Sequence, residues 1–273
     1  MADNYKAQML YFNAPPVERE FSLKGAIDAM MADECHAIVM DVVPESDLED
    51  WWEDDGFATS PFTYNAHHAG IQATAVTLGQ LQRETDEDLV VKTAEYFSLA
   101  SRLNQGLRET KFVKFFADGL DAAPLTIGRE YNAEYLMATK RVYEPFDKPF
   151  NFAPHCDDIS YSRDTTNWPQ RRSYTHQLGS FLTIEGSAND AGMVLWDNVP
   201  ESRAKLDVMN KEYRETGTIA ELDASDKLVI KPQPGQLTIF HSKRIHAIEQ
   251  CQSRRRTMGL FLIEKEDGWK FFD

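Results

Sequence analysis

The chain has 273 residues, of which 42% are hydrophobic and 27% are charged, a balance typical of a globular protein. Its formal net charge of −15 disfavours nucleic acid or an anionic membrane as a partner, because binding to phosphate groups depends on lysine and arginine. No apolar run approaches the ~18–20 residues that a membrane-spanning helix needs. Cys35, Cys156 and Cys251 lie far apart, which argues against a disulfide framework. We therefore expect a cytoplasmic protein; its oligomeric state stays open.

The N-terminal part, residues 1–130, is predicted to be mainly helical. Ser22 is a suitable N-cap for a short helix with an apolar stripe, and residues 37–40 form a short apolar run typical of a buried strand. A capping-box pattern at Thr85 opens a longer helix that runs to about residue 104. A further helix near residues 109–117 places three phenylalanines together as core.

From residue 131 onward the hydrophobic period changes from helical to strand-like. One helix is expected near residues 204–215. The predicted strands cover residues 135–144, 152–160, 176–184, 192–197, 227–231, 236–240, 245–251 and 255–264. Eight short strands separated by turn residues favour an all-β core with flanking helices, a cupin-like jelly roll also called a double-stranded β-helix. We predict a single domain over residues 1–273, with 131–273 as the jelly-roll core and 1–130 covering the sheet.

Two histidine-containing segments of this core suggest a metal site. His155 and Asp157 share a face if the segment is a strand, because residues i and i+2 point the same way. With His246 as a third ligand they form a set of two histidines and one carboxylate that leaves coordination positions open, which is typical of non-haem Fe(II) oxygenases. By itself, a His-x-Asp pair is more often structural. His241 is expected at a turn, facing solvent.

Basic residues follow His246 in the last predicted strand. A guanidinium inside an otherwise apolar strand needs an anion, since burying an unpaired charge is costly. A carboxylate bound bidentately meets that need. Arg255 and Arg256 are both candidates for this role.

Taken together, these segments resemble the Fe(II)/2-oxoglutarate-dependent oxygenase superfamily. The residues that carry the resemblance are 231–240, His246 and 255–261, with weaker similarity at 141–143 and 192–196. The similarity is greatest to the small-molecule halogenases and hydroxylases that act on alkaloids or free amino acids. It implies a jelly roll, with Fe(II), 2-oxoglutarate as co-substrate, and O₂.

Residue roles follow from the same resemblance. It implies that His155, Asp157 and His246 bind iron. The Arg-x-Thr spacing favours Arg255 over Arg256 for the far carboxylate of 2-oxoglutarate. Thr257 and Arg141 are also assigned to 2-oxoglutarate, although Arg141 could contact the substrate instead. The residues assigned to a small-molecule substrate are His67, Phe261 and Trp196.

Asp157 also bears on the type of reaction. The resembling halogenases have Gly or Ala at this position, which leaves a coordination site for halide. The presence of Asp157 here implies hydroxylation, with succinate and CO₂ as co-products. There are three alternatives. The same chemistry could give desaturation or cyclisation, the protein could be a cupin-like metal enzyme that does not use 2-oxoglutarate, or it could be a jelly roll that only binds a ligand.

Overall fold

The computed structural model describes residues 3–54, 56, 63–64, 70–74, 86–120, 129–130, 133–157, 176–265 and 268–272. Its strands are Tyr5–Leu10 (β1), Val17–Phe21 (β2), Ala37–Asp41 (β3), Thr63–Tyr64 (β4), Ile71–Ala73 (β5), Arg129–Glu130 (β6), Ala133–Glu134 (β7), Thr139–Tyr143 (β8), Phe150–His155 (β9), Gln177–Glu185 (β10), Met193–Trp196 (β11), Lys227–Ile230 (β12), Gln236–His241 (β13), His246–Glu249 (β14), Arg255–Lys265 (β15) and Gly268–Phe272 (β16). Its α-helices are Leu23–Met31 (α1), Leu48–Trp52 (α2), Asp86–Leu107 (α3), Lys111–Gly119 (α4), Arg203–Thr216 (α5) and Ala220–Asp223 (α6), and a 3-10 turn covers Glu45–Asp47.

Most of the described strands belong to two antiparallel sheets. The large sheet has the order β2-β1-β3-β13-β10-β15-β8-β5-β4, with β16 added beside β15, and the small sheet has the order β12-β11-β14-β9. Apolar residues of both sheets pack against each other, for example Phe181 and Phe240 of the large sheet with Met193 and Ile248 of the small one. This arrangement confirms the predicted jelly-roll core with flanking helices.

The other face of the large sheet packs against helices. Along β13, Leu237 and Ile239 join the cluster that contains residues of α1, α3 and α4, whereas Phe240 joins the cluster between the two sheets. This alternation follows from the two-residue period of a strand. Both faces of the large sheet are therefore covered, one by the helices and the other by the small sheet. Polar side chains of this sheet that point toward the small sheet are shielded from water.

The N-terminal part differs from the prediction of a mainly helical cover. Helices α1, α3 and α4 are present, and Ser22 caps α1 by accepting a hydrogen bond from the Gly25 N–H at 3.1 Å. However, β1, β2 and β3 also extend the large sheet through the pairing of β3 with β13. Strand β2 is mostly exposed and charged, so its sequence carries no period-2 apolar signal.

Helix α5 covers the outer face of the small sheet. Leu206 and Met209 of this helix are buried against Val194, Trp196 and Ala247. The helix confirms the one expected near residues 204–215. In the part of the chain that the structure describes, no helix combines the length and the apolar character needed to cross a bilayer.

Candidate functional site

The residues of the predicted metal site lie together on the small sheet. His155 is the last residue of β9 and is directly opposite His246, the first residue of β14. Asp157 lies just beyond β9, where its backbone N–H donates to the Ser242 carbonyl at 3.0 Å. One candidate ligand atom from each of the three residues lies within 4.8 Å of the others.

Backbone carbonyls fix the tautomers of both histidines. Nδ1 of His155 is 2.7 Å from the Ala153 carbonyl oxygen, and Nδ1 of His246 is 2.9 Å from the Arg244 carbonyl oxygen. A carbonyl only accepts, so each Nδ1 is assigned the proton, and in a neutral ring Nε2 then carries a lone pair. These Nε2 atoms face Asp157 Oδ2, at 3.6 Å from His155 and 3.1 Å from His246.

The charges of the site fit a bound cation. Burial, together with the neighbouring His246, lowers the pKa of His155 and favours its neutral form. Burial tends to raise the pKa of Asp157, but the two histidines hold it well below its usual value, so the carboxylate is ionised. Nε2 of His155 is buried and has no hydrogen-bond partner among the described residues. Two lone pairs and a carboxylate that converge in this way are complementary to a divalent metal ion.

Aromatic rings enclose the two histidines. The Phe152 ring centroid is 3.8 Å from that of His155, and the Phe240 centroid is 4.8 Å from that of His246. These contacts restrict both imidazoles and keep water away from one side of the ligand set. The open side faces the space between the two sheets.

Arg255 points into the same space from the large sheet. It is 1% exposed, and its Cζ lies 5.4 Å from the Tyr143 ring centroid and 5.5 Å from that of Phe181. Neither Nη1 nor Nη2 has a hydrogen-bond partner among the described residues. Burial lowers the pKa of this guanidinium, which reflects the cost of keeping the charge there. Such a group is complementary to an anion that enters the cavity.

Arg256 points to the opposite face of β15. It forms ion pairs with Glu49 and Glu185, and its Cζ lies 5.1 Å from the Trp52 ring centroid. Its anionic partners are therefore supplied by the chain itself. Of the two adjacent arginines, only Arg255 faces the cavity.

The central cavity between the sheets brings most of the predicted residues together. Its space, including the part open to solvent, is about 470 Å³, and Arg141, Thr257 and Phe261 line it together with Arg255 and the three candidate metal ligands. Thr257 is opposite Arg141 in the pairing of β15 with β8. The prediction for His67 falls outside the described residues.

Two predicted positions differ from the structure. Trp196 does not line the cavity: it is 6% exposed and packs on the α5 side of the small sheet, with its ring centroid 6.1 Å from that of Phe150. His241 does not face solvent either. It ends β13, with a side chain 16% exposed and its Nε2 3.4 Å from Asp33 Oδ1.

The aromatic residues that flank Arg255, Tyr143 and Phe181, were not among the predicted site residues. Tyr143 is two residues after Arg141 on β8, so strand alternation places it on the same face, and this signal was available. Phe181 lies in β10, eight of whose nine residues are buried, so no alternation marks the face to which it belongs.

Comparisons with known proteins identify the family. The chain is 57% identical to an N-substituted L-amino acid dioxygenase from Burkholderia ambifaria AMMD, with 100% of both chains covered and a TM-score of 0.87. A second structure from the same organism, described as a complex with alpha-KG (2-oxoglutarate), is 55% identical over 100% of both chains, with a TM-score of 0.86. The chain belongs to the 2-oxoglutarate-dependent dioxygenases. No protein-family model and no curated protein matches it.

Membership of this family decides between the enzyme classes left open by the sequence. The protein is an Fe(II)- and 2-oxoglutarate-dependent dioxygenase, and its co-substrates are 2-oxoglutarate and O₂. A cupin-like enzyme without 2-oxoglutarate and a jelly roll that only binds a ligand are therefore set aside.

Proposed function

We propose that this dioxygenase hydroxylates a C–H bond of an N-substituted L-amino acid. In this reaction the substrate, O₂ and 2-oxoglutarate yield the hydroxylated amino acid, succinate and CO₂, with one atom of O₂ in each of the first two products. The substrate class is that of the 57% identical protein from Burkholderia ambifaria AMMD. The observation that carries the proposal is one cavity that is lined by three convergent metal-ligand side chains and by the buried Arg255, whose two Nη atoms have no hydrogen-bond partner among the residues that the structure describes.

We infer that His155, Asp157 and His246 hold Fe(II). Two Nε2 lone pairs and one carboxylate oxygen neutralise part of the charge of the ion, and both imidazoles are already oriented by their Nδ1 hydrogen bonds. When bound, iron supplies the oxidation chemistry by activating O₂ together with the co-substrate. The carbonyls of Ala153 and Arg244 keep the Nδ1 protons away from the metal side of each ring.

Arg255 is the proposed anchor for the far carboxylate of 2-oxoglutarate. Its two Nη groups have no hydrogen-bond partner in the described part of the chain and match the two oxygens of a carboxylate. The rings of Tyr143 and Phe181 hold the guanidinium plane in place. Thr257, on the same face of β15, is buried and assists through its hydroxyl. The carboxylate offsets a burial cost that for an unpaired ion amounts to several kcal/mol.

Arg141 and Phe261 are the proposed contacts further along the cavity. Arg141 adds a second positive charge, which suits a carboxylate of the amino-acid substrate or of the co-substrate. Gly259 makes room for it, since an added Cβ would lie 3.2 Å from the Ser180 carbonyl oxygen and 3.4 Å from Arg141 Nη1. Phe261 provides an apolar wall. The role of His67 in substrate contact stays a prediction.

The cysteines support the predicted compartment. Cys35, Cys156 and Cys251 form no disulfide bond with one another, and Cys35 and Cys251 are buried. Free thiols suit a reducing environment. We therefore infer that the protein works in the cytoplasm.

Turnover with a substrate panel tests the proposed function. Purified protein with Fe(II), 2-oxoglutarate and ¹⁸O₂ is given a set of N-substituted L-amino acids, with the unsubstituted L-amino acids and the D-enantiomers as matched controls. We expect succinate release above the uncoupled rate and a product that has gained one labelled oxygen atom for some N-substituted L-compounds. A product that has instead lost two hydrogens indicates desaturation or cyclisation, and turnover confined to unsubstituted amino acids would contradict the substrate assignment.

A further inference from the structure

The turn of residues 242–245 between β13 and β14 accepts hydrogen bonds from Cys156 and Asp157, which follow β9, and from His246, which begins β14. Three successive carbonyls of this turn act as acceptors: that of Ser242 for the Asp157 N–H at 3.0 Å, that of Lys243 for the Cys156 thiol at 3.2 Å, and that of Arg244 for His246 Nδ1 at 2.9 Å. The position of this turn therefore sets the direction of two of the three proposed iron ligands.

The turn is held at its C-terminal end by β11. The Ile245 N–H donates to the Asn198 carbonyl at 2.8 Å, and the Ile245 carbonyl accepts from the Trp196 N–H at 2.9 Å. The Ile245 N–H and the Arg244 carbonyl belong to one planar peptide unit, so the bond to Asn198 also orients the carbonyl that meets His246. The side chain of Arg244 holds the other end of this unit.

The Arg244 side chain connects the turn to both sheets. Its guanidinium forms a close ion pair with Asp197, which follows β11 of the small sheet. Its Cζ also lies 5.2 Å from the ring centroid of Phe12, in the segment after β1 of the large sheet. Phe12 is in turn packed on His36, with ring centroids 4.4 Å apart. The side chain is only 19% exposed, so the ion pair is partly shielded from solvent.

We propose that Arg244 is a positioning residue of the iron site. By binding Asp197 and Phe12 from the outer side, it holds the 243–245 backbone so that the Arg244 carbonyl meets the Nδ1–H of His246. Loss of a group that hydrogen-bonds a metal ligand directly typically reduces metal affinity by about 10- to 100-fold. Substitution of Arg244 keeps its backbone carbonyl and weakens only the support of that carbonyl, so the expected loss is smaller. This inference rests on the proposed binding of iron by His155, Asp157 and His246.

The Fe(II) dissociation constant of the substrate-free protein tests this role. It is measured anaerobically against a chromophoric chelator at 4 °C for wild type, Arg244→Gln, Asp197→Asn and the double variant. We expect each single substitution to raise the dissociation constant by about three- to tenfold, below the range for a direct hydrogen-bond partner of a ligand. The double variant should bind Fe(II) no more weakly than the single variant with the larger dissociation constant, because both substitutions remove the same ion pair. Arg244→Lys keeps the charge and should recover part of the affinity.

Arg203→Gln is the matched control. Arg203 forms an ion pair with Asp207 at 3.0 Å on α5 and is similarly shielded, with a side chain 30% exposed, but it is away from the turn. It should bind Fe(II) as wild type does. The melting temperature of each metal-free variant separates affinity from stability: a purely structural role of Arg244 lowers that temperature and leaves the Fe(II) constant unchanged.

The outcomes distinguish this inference from the proposed function. Wild type that does not bind Fe(II) at all contradicts the iron site itself. If wild type binds Fe(II) and both Arg244→Gln and Asp197→Asn have the same Fe(II) dissociation constant as wild type, only the role of Arg244 is overturned. If Arg244→Gln does not fold, Asp197→Asn alone decides between the same results.

Discussion

His155 and His246 face each other across the antiparallel pair β9 and β14, with imidazole centroids 4.2 Å apart. Each ring is turned by its own backbone carbonyl so that Nε2 points toward Asp157. Main-chain hydrogen bonds thus orient both imidazoles. The three proposed iron ligands lie on or next to the small sheet and Arg255 lies on the large one, so the two parts of the proposed site face each other across the cavity.

Arg255 and Arg256 provide an internal comparison for co-substrate binding. We expect Arg255→Gln to raise the KM for 2-oxoglutarate by about 10- to 100-fold, because a charge-assisted hydrogen bond contributes about 1.5–3 kcal/mol. Arg256→Gln removes ion pairs with Glu49 and Glu185 on the other face and should leave this KM close to wild type. Initial rates of succinate formation at varied 2-oxoglutarate give the KM of both variants. Equal effects of the two substitutions would show that Arg255 is not the arginine that binds 2-oxoglutarate.

Gly259 allows a test of the space around Arg141. Gly259→Ala introduces a Cβ that would lie 3.4 Å from Arg141 Nη1 and 3.2 Å from the Ser180 carbonyl oxygen, so it narrows the space available to the Arg141 guanidinium. If Arg141 binds the substrate carboxylate, the KM for the amino acid rises severalfold while the Fe(II) dissociation constant stays the same. Gly186→Ala is the control, because its added Cβ has no heavy atom within 4 Å. An unchanged KM for both substrate and 2-oxoglutarate would remove Arg141 from the binding site.

His241 predicts part of the acid sensitivity of the fold. Burial lowers its pKa to about 4, with Arg244 and His36 acting in the same direction and Asp33 and the Met30 carbonyl opposing it. The unfolded state therefore binds this proton first, and stability is lost as pH falls from about 6.5 through about 4, by at most about 3 kcal/mol.

His241→Gln should lose less of its free energy of unfolding between pH 7 and pH 4.5 than wild type does, as measured by urea denaturation. His176→Gln is a suitable control, since the His176 side chain is 44% exposed and pairs with Glu264 at 3.0 Å. A pH dependence for His241→Gln that equals that of wild type would show that folding does not lower the pKa of His241.

Much of the core was predictable because its strands alternate. In β15 the odd-numbered residues Arg255 and Thr257 point into the cavity, whereas Arg256 and Met258 point to the helices, so a period of two gives the correct face. The same alternation fails where both faces are covered. All four residues of β11 are buried, and for this reason the sequence did not show that Trp196 packs under α5 instead of facing the cavity.

Other features depend on pairings between distant segments. The pairing of β3 with β13 joins the N-terminal strands to the core, and nothing local in residues 5–21 indicates it. His241 is buried because Asp33 and the end of α1 lie against it, which a local turn pattern does not reveal. The three carbonyls of the 242–245 turn are likewise backbone groups, which carry no residue-type signal.

The most direct test of the central claim is an anaerobic titration of the protein with Fe(II) and then 2-oxoglutarate, followed in the visible spectrum. Chelation of ferrous iron by the keto acid in this site produces a metal-to-ligand charge-transfer band. We expect the band in wild type and in Arg203→Gln, and its loss in Asp157→Ala and His246→Ala. Wild-type protein that binds iron without developing the band, or an undiminished band in both ligand variants, would contradict the account.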